Sequence, residues 1–237
     1  MEASPVLRAA QSETLSAHSA QHIKQLSDAP TGYSIIIANE YLDCLPARQF
    51  VKSGGDWFER VIGPDEDGGL AFGLATDRAP QEFSSGADAA EVQPGLEFLI
   101  SDLKLRVAAG DKFHALVIDY GTSDEVPGDT LRAYRLGEQV HPLCDPGAND
   151  LTVDVDFSRL SKLASDAGLD VHGTIPQGEF LMRLGIEQRM QSLIDAEPSR
   201  GEDIYEGVRK LVDPAEMGER FKVICISSPG LPEPAGF

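Results

Sequence analysis

The chain has 237 residues, 41% of them hydrophobic, and its 39 acidic against 20 basic side chains give a formal net charge of −19. That length and apolar content bury the core of one domain, or of one with a small appendage. The acidic excess disfavours sequence-independent nucleic-acid binding and docking on anionic lipid, and fits plain solubility or a positively charged partner.

In chain order, Ser4 followed by Pro5 predicts a helix start, with Leu7, Ala10 and Leu15 along it. Tyr33–Ala38 reads as a strand apolar on both faces, the pattern of a central parallel strand covered by helices on each side. Gln49–Lys52, the turn Ser53-Gly54-Gly55-Asp56 and Trp57–Ile62 predict a β-hairpin; Asp67-Gly68-Gly69 introduces a further strand, Leu70–Leu74. Residues 47–76 are thus expected as a β-meander inserted beside the main sheet, and residues 76–90 as a loop. Pro94-Gly95 opens a helix whose Leu96, Leu99, Ile100, Leu103 and Val107 share one face, stopped by Gly110. Phe113–Ile118 is a second buried strand, ending in Asp119-Tyr120-Gly121. Residues 122–156, rich in Gly, Pro and Asp as far as 150, are expected as a long loop. Asp156 caps a helix carrying Leu160, Leu163 and Ala167, Val171–Ile175 is a short strand, and helices follow at 178–184, 186–196 and 202–212. Phe221–Ser227 closes the series as a hairpin-like partner for the preceding strand, and SPGLPEPAGF reads as a frayed tail. Strands alternating with helices define an α/β sheet.

In such a sheet, ligands bind beyond the carboxyl ends of the strands. Two strand ends carry polar clusters: Asn39-Glu40 with Asp43, and Asp119-Tyr120. Carboxylates beside an aromatic hydroxyl suit acid–base work or the grip of a guanidinium or ammonium group, although solvated strand ends often have the same composition. Cys44, Cys144 and Cys225 show no C-x-x-C spacing, and the five histidines show no zinc-ligand spacing, so neither a disulfide framework nor a metal site is expected. The sequence has no G-x-S-x-G, no phosphate-binding G-x-x-x-x-G-K-[ST] and no G-x-G-x-x-G. No apolar run reaches the length of a membrane span and no secretory signal is visible, so a cytosolic or matrix-type protein is expected.

Five blocks in order carry a resemblance: ANEYLDCLPARQF; VIDYG; GDTLRAY with HPLCDPGANDLTVDVDF; TIPQGEFLMRLGI; and MGERFKV. Together they resemble the MidA-type family of S-adenosylmethionine-dependent methyltransferases, over nearly the whole chain. The family's mitochondrial member assists assembly of respiratory complex I by methylating an arginine of a core subunit. The resemblance implies the class I (Rossmann-like) methyltransferase fold, a mostly parallel sheet ending in an antiparallel pair. Tyr33–Ala38 then looks like its fourth strand, Phe113–Ile118 its fifth, and Val171–Ile175 with Phe221–Ser227 its final pair. It implies S-adenosylmethionine as cofactor, with Glu2 accepting hydrogen bonds from the ribose hydroxyls and Asn39 also at the cofactor. Asn39, Glu40, Asp43, Asp119 and Tyr120 would hold the incoming nucleophile, an arginine-containing protein segment.

The sequence departs from the family in one respect. The chain begins where the family's first strand and glycine-rich cofactor loop should have ended, so residues 1–237 are expected as the C-terminal portion of the domain, truncated at the N-terminus. An exposed strand edge would follow, with a homo-oligomer one outcome. Two functions are carried forward: a protein-arginine methyltransferase, bacterial and cytoplasmic or else of the mitochondrial matrix; and a non-catalytic assembly module that grips a basic protein segment.

Overall fold

The computed structural model describes residues 2, 4–80, 83, 88–123 and 128–237. Helix α1, Pro5–Thr14, starts where the sequence places it, with the Ser4 hydroxyl accepting the Leu7 N–H at 3.3 Å. Strand β1 is Tyr33–Asn39, and β2 (Arg48–Ser53) turns through Gly54-Gly55 into β3 (Asp56–Pro64). Both turn glycines have positive φ, the geometry a two-residue hairpin of this hand requires. Strands β4 (Leu70–Arg78) and β5 (Ala89–Val92) follow, then helix α2 (Pro94–Ala108) and β6 (Lys112–Thr122). Next come β7 (Arg132–Arg135), β8 (Glu138–Val140), β9 (Asp150–Thr152), β10 (Val155–Asp156) and α3 (Phe157–Asp166). The Asp156 carboxylate caps α3 from the Arg159 N–H at 2.8 Å. Strand β11 (Asp170–Pro176), helices α4 (Gln177–Arg183), α5 (Ile186–Ala196), α6 (Gly201–Val212) and α7 (Met217–Arg220), and β12 (Phe221–Ser227) complete the chain.

The main sheet has the order β1-β6-β12-β11. Strands β1 and β6 are parallel, with Asn39 opposite Ile118, so their carboxyl ends lie side by side. Strand β12 runs antiparallel between β6 and β11, which is the closing antiparallel pair the resemblance implies. Helices α2 and α3 cover one face, where Leu96, Leu103, Phe113, Val117, Phe157 and Ile224 form the fully buried core. A separate four-stranded antiparallel sheet, β4-β3-β2-β5, stands beside it with Phe50, Trp57 and Ala90 at its own small core.

Four expectations change. Strand β1 is an edge strand, since its pairing among the described residues is with β6 alone, and on one face Tyr33, Ile35 and Ile37 are 62%, 75% and 68% exposed. An apolar run on both faces does not specify whether a helix covers each of them. Within the stretch read as a long loop, Tyr134 pairs with Gln139 and Asp150, making a small sheet β8-β7-β9. Residues 124–127 of that stretch lie outside the described residues, as do residues 81–82 and 84–87 of the loop expected at 76–90, into which β4 and β5 extend. The tail does not fray: the Phe237 ring packs 5.2 Å from Phe180 and 6.4 Å from His172. Among the described residues, no helix is long and apolar enough to cross a membrane.

The approach to β1 is pinned by a buried ion pair. Arg106, near the end of α2, meets Asp111 at 3.1 Å, with both side chains almost fully buried. Its guanidinium also donates to the carbonyls of Leu26, Ala29 and Pro30 and to the Ser34 hydroxyl, while Asp111 accepts the Gly32 N–H at 2.7 Å. Removing one partner strands a buried charge and several acceptors. Arg106→Leu is expected to cost about 3–5 kcal/mol in chemical denaturation; a loss within about 0.5 kcal/mol would show that the knot holds nothing.

Candidate active site

The parallel pairing of β1 and β6 sets Glu40 and Asp119 next to one another, and the chain turns sharply there. Glu40 has a φ of 47°, left-handed for a residue other than glycine, and its N–H donates to the Ile118 carbonyl at 2.9 Å. Asp119 is fully buried and gathers the turn that follows. Its Oδ2 accepts the backbone N–H groups of Tyr41 (3.1 Å), Leu42 (2.9 Å) and Asp43 (3.3 Å), and its Oδ1 accepts that of Tyr120 (3.0 Å). Burial first, and the neighbouring Asp43 charge second, push the Asp119 carboxyl up to about 7, against those donors, which favour its ionised form. Asp119 therefore braces the turn, and its oxygens are spent on the chain itself.

Asp43 stands at the centre of the cluster. Its Oδ2 accepts the Tyr120 hydroxyl at 2.7 Å and the Thr152 hydroxyl at 2.9 Å, while its Oδ1 is buried without a hydrogen-bond partner. The Asp43 carbonyl accepts the Val153 N–H at 3.0 Å, which ties the β9–β10 segment to the turn. That segment reaches the site because β10 pairs with β6 at Gly121, where any Cβ would run into the Val155 backbone.

Tyr120 is held from three sides. Its ring meets Phe221 edge-on at 5.5 Å and lies 5.4 Å from the Arg220 guanidinium, a cation–π contact. Arg220 in turn grips buried Asp154 with two hydrogen bonds of 3.1 and 2.7 Å. Burial and the bond to Asp43 raise the Tyr120 hydroxyl well above its ordinary range, so it stays a neutral donor. Thr152, Asp154, Arg220 and Phe221 sit inside the TVDVDF and MGERF blocks, but nothing local in the sequence marks them as site residues.

The structure thus brings Asp43, Asp119 and Tyr120 into one hydrogen-bonded cluster. Asn39 and Glu40 are exposed at its rim, with the Asn39 amide donating to Glu40 at 3.3 Å. Glu2 stands apart: its described hydrogen bonds are to the Ser4 N–H, the Gln11 amide and the Arg8 guanidinium. Beside the cluster lies a cavity of about 320 Å³, walled by the Asp43–Gln49 segment on one side and by Ile62, Phe72 and Leu151 on the other. Its two cations are neutralised in place: Arg48 pairs with Glu59 and Arg60 with Asp129, each through two hydrogen bonds.

A mixed sheet in which β1 and β6 run parallel and β12 pairs antiparallel with both β6 and β11, covered by helices, is a mixed α/β fold of the kind found in Rossmann-like methyltransferases. Residues 1–175 match the family described as "Putative S-adenosyl-L-methionine-dependent methyltransferase", and the chain belongs to that family. That description makes S-adenosylmethionine the family's cofactor. The chain is 36% identical over 212 residues to mouse (Mus musculus) "Protein arginine methyltransferase NDUFAF7, mitochondrial", covering 86% of this chain and 48% of that protein. The human (Homo sapiens) counterpart is 36% identical over 211 residues, covering 86% and 47%. The chain thus spans about half the length of the curated relatives it matches. A crystal structure from Burkholderia thailandensis bound to S-adenosyl-homocysteine superposes with a TM-score of 0.78 over 98% of this chain and 64% of that one; at 24% identity the likeness is one of fold.

The Asp119 shift has a sign that can be measured. A carboxyl whose value rises from 3.8 to about 7 on folding holds its proton more tightly in the folded state. Its contribution to stability is full below the unfolded value and is lost as pH rises through the folded one. Melting temperatures of the wild type should therefore decline relative to Asp119→Asn between about pH 4 and about pH 7; parallel curves would show that Asp119 does not titrate there.

Proposed function

We propose that this chain forms part of a protein-arginine N-methyltransferase in which Asp43 grips the acceptor guanidinium. The observation that carries this is the division of labour within one carboxylate: Oδ2 is fixed by Tyr120 and Thr152, and Oδ1 is left without a partner. A buried acceptor without a donor is costly, and a charged N–H donor relieves that cost. The relatives bear the name of protein arginine methyltransferases, which supports a guanidinium as that donor.

S-adenosylmethionine, when bound, supplies an electrophilic methyl group on a sulfonium sulfur. The residues at the ends of β1 and β6 suit a cationic ligand, since the Glu40 and Asp43 carboxyls stand there. Asn39 and Glu40, exposed at the rim, would face the cofactor and the acceptor nitrogen together, and Glu40 would take up the proton the nitrogen releases. Glu2 would exchange its 3.4 Å contact with Gln11 for the ribose hydroxyls. Asp119 and Tyr120 act through Asp43, one by holding its backbone and the other its side chain. Positioning of this kind is where much of the acceleration of an in-line transfer arises. The resemblance to the complex I assembly methyltransferase makes a respiratory complex I subunit the proposed acceptor protein, in the mitochondrial matrix or the bacterial cytoplasm.

The competing reading, a module that grips a basic segment without chemistry, is separated by the same measurement. Calorimetry with S-adenosylmethionine and radiolabelled methyl transfer to an arginine peptide should both be positive, and Asp43→Ala should lower transfer by about a hundredfold or more while cofactor affinity holds. Peptide binding without cofactor binding would favour the module. Transfer undiminished in both Asp43→Ala and Glu40→Ala would remove these carboxylates from the mechanism.

A further inference from the structure

The cavity beside Asp43 is one of three depressions in a row. A second, of about 270 Å³, shares Leu45 and Pro46 with it; a third, of about 140 Å³, shares Ile62 and Leu151. The shared residues are the ridges between neighbouring hollows. The second hollow is floored by Leu26, Leu99 and Phe98, the last 72% exposed, and the third by Pro142 and Leu143. The first and third are walled by the β-meander and the β7–β9 sheet with its loops, and the second by α2 and the turn after β1.

We infer that this row is a groove for an extended protein segment whose arginine is flanked by apolar side chains, read by the meander and the β7–β9 sheet on one flank and by α2 on the other. The inference rests on the arginine-transfer reading and names the acceptor's sequence class. An extended chain presents every second side chain to one surface, about 7 Å apart, so successive hollows on either side of Asp43 suit alternate residues. Charge points the same way. Arg48 and Arg60 at the central hollow are each neutralised by a partner carboxylate, Asp43 stands at its wall, and the chain as a whole carries −19, so a cationic segment meets no repulsion. The flanking hollows are apolar apart from Tyr41 and Asp102 in one and Cys144 and Asn149 in the other, so charge alone does not account for their shape.

The test uses fluorescent peptides carrying one arginine flanked, two residues away on each side, by leucine or by serine. The leucine peptide is expected to bind about tenfold more tightly, the worth of burying about one aliphatic side chain. Leu151→Asp, at an exposed position on the ridge between two hollows, is expected to weaken that peptide by about tenfold despite making the protein more acidic. General attraction of a basic peptide to an acidic protein predicts the opposite sign for that variant. Equal binding of the two peptides, tighter or unchanged binding to Leu151→Asp, or no binding to the wild type overturns the groove. If Leu151→Asp lowers the melting temperature, Ile62→Ser on the same ridge replaces it, with the same expectation. A leucine-flanked lysine peptide separates the two levels: binding equal to the arginine peptide removes the arginine reading and leaves the groove standing.

Discussion

Everything at this site hangs from the four backbone N–H groups that converge on the Asp119 carboxylate. Three of them belong to the turn after β1 and the fourth to Asp119's own neighbour on β6, so one side chain sews together the ends of two parallel strands. Without it, the turn would have three donors to satisfy at a depth where Leu42 is fully buried. The brace is local, but it fixes where Asp43 stands.

From that point order spreads outward through contacts between distant parts of the chain. Asp43 fixes the Tyr120 and Thr152 hydroxyls; Tyr120 is sandwiched by Phe221 and Arg220; Arg220 is aimed by Asp154. The Thr130 hydroxyl receives the Asp154 N–H and donates to Glu91, a buried carboxylate on β5 that also accepts from Gln49 on β2. The small sheets are thereby wired to the cluster by polar groups inside the protein, where an unmet partner is expensive and a met one is stiffening. The meander, the β9–β10 segment and the Asp43 carboxylate are joined into one connected polar network.

What could be read from the sequence was whatever is encoded within a few residues. Ser4 and Asp156 as caps, Gly110 as a stop and Gly54-Gly55 as a tight turn act on their immediate neighbours, and each does so in the structure. The apolar runs at Tyr33–Ala38 and Phe113–Ile118 were recognisable strands, and parallel pairing then brought their polar ends together. Their environment was not recognisable. Whether Ile35 faces a helix or water depends on what packs there, and the alternation of side chains is the same in both cases. The short strands β7–β9 hide in a stretch whose Gly, Pro and Asp content favours turns, since their pairing partners supply what local preference withholds. Asp119 was legible as the acidic end of a strand, but its hold on the neighbouring turn was not, because no sequence pattern reveals which amides a carboxylate will collect. Arg220, about a hundred residues further along, could not be connected to Tyr120 without the fold.

The bare side of β1 has a consequence of its own. Tyr33, Ile35 and Ile37 form an oily ladder on one face, and the same strand carries backbone amides and carbonyls along an outer margin that no described strand meets. Greasy rungs beside unsatisfied peptide groups are what a foreign strand needs to add itself to a sheet. Along this flank the apolar rungs and the open peptide groups coincide, so a single added strand would complete both at once.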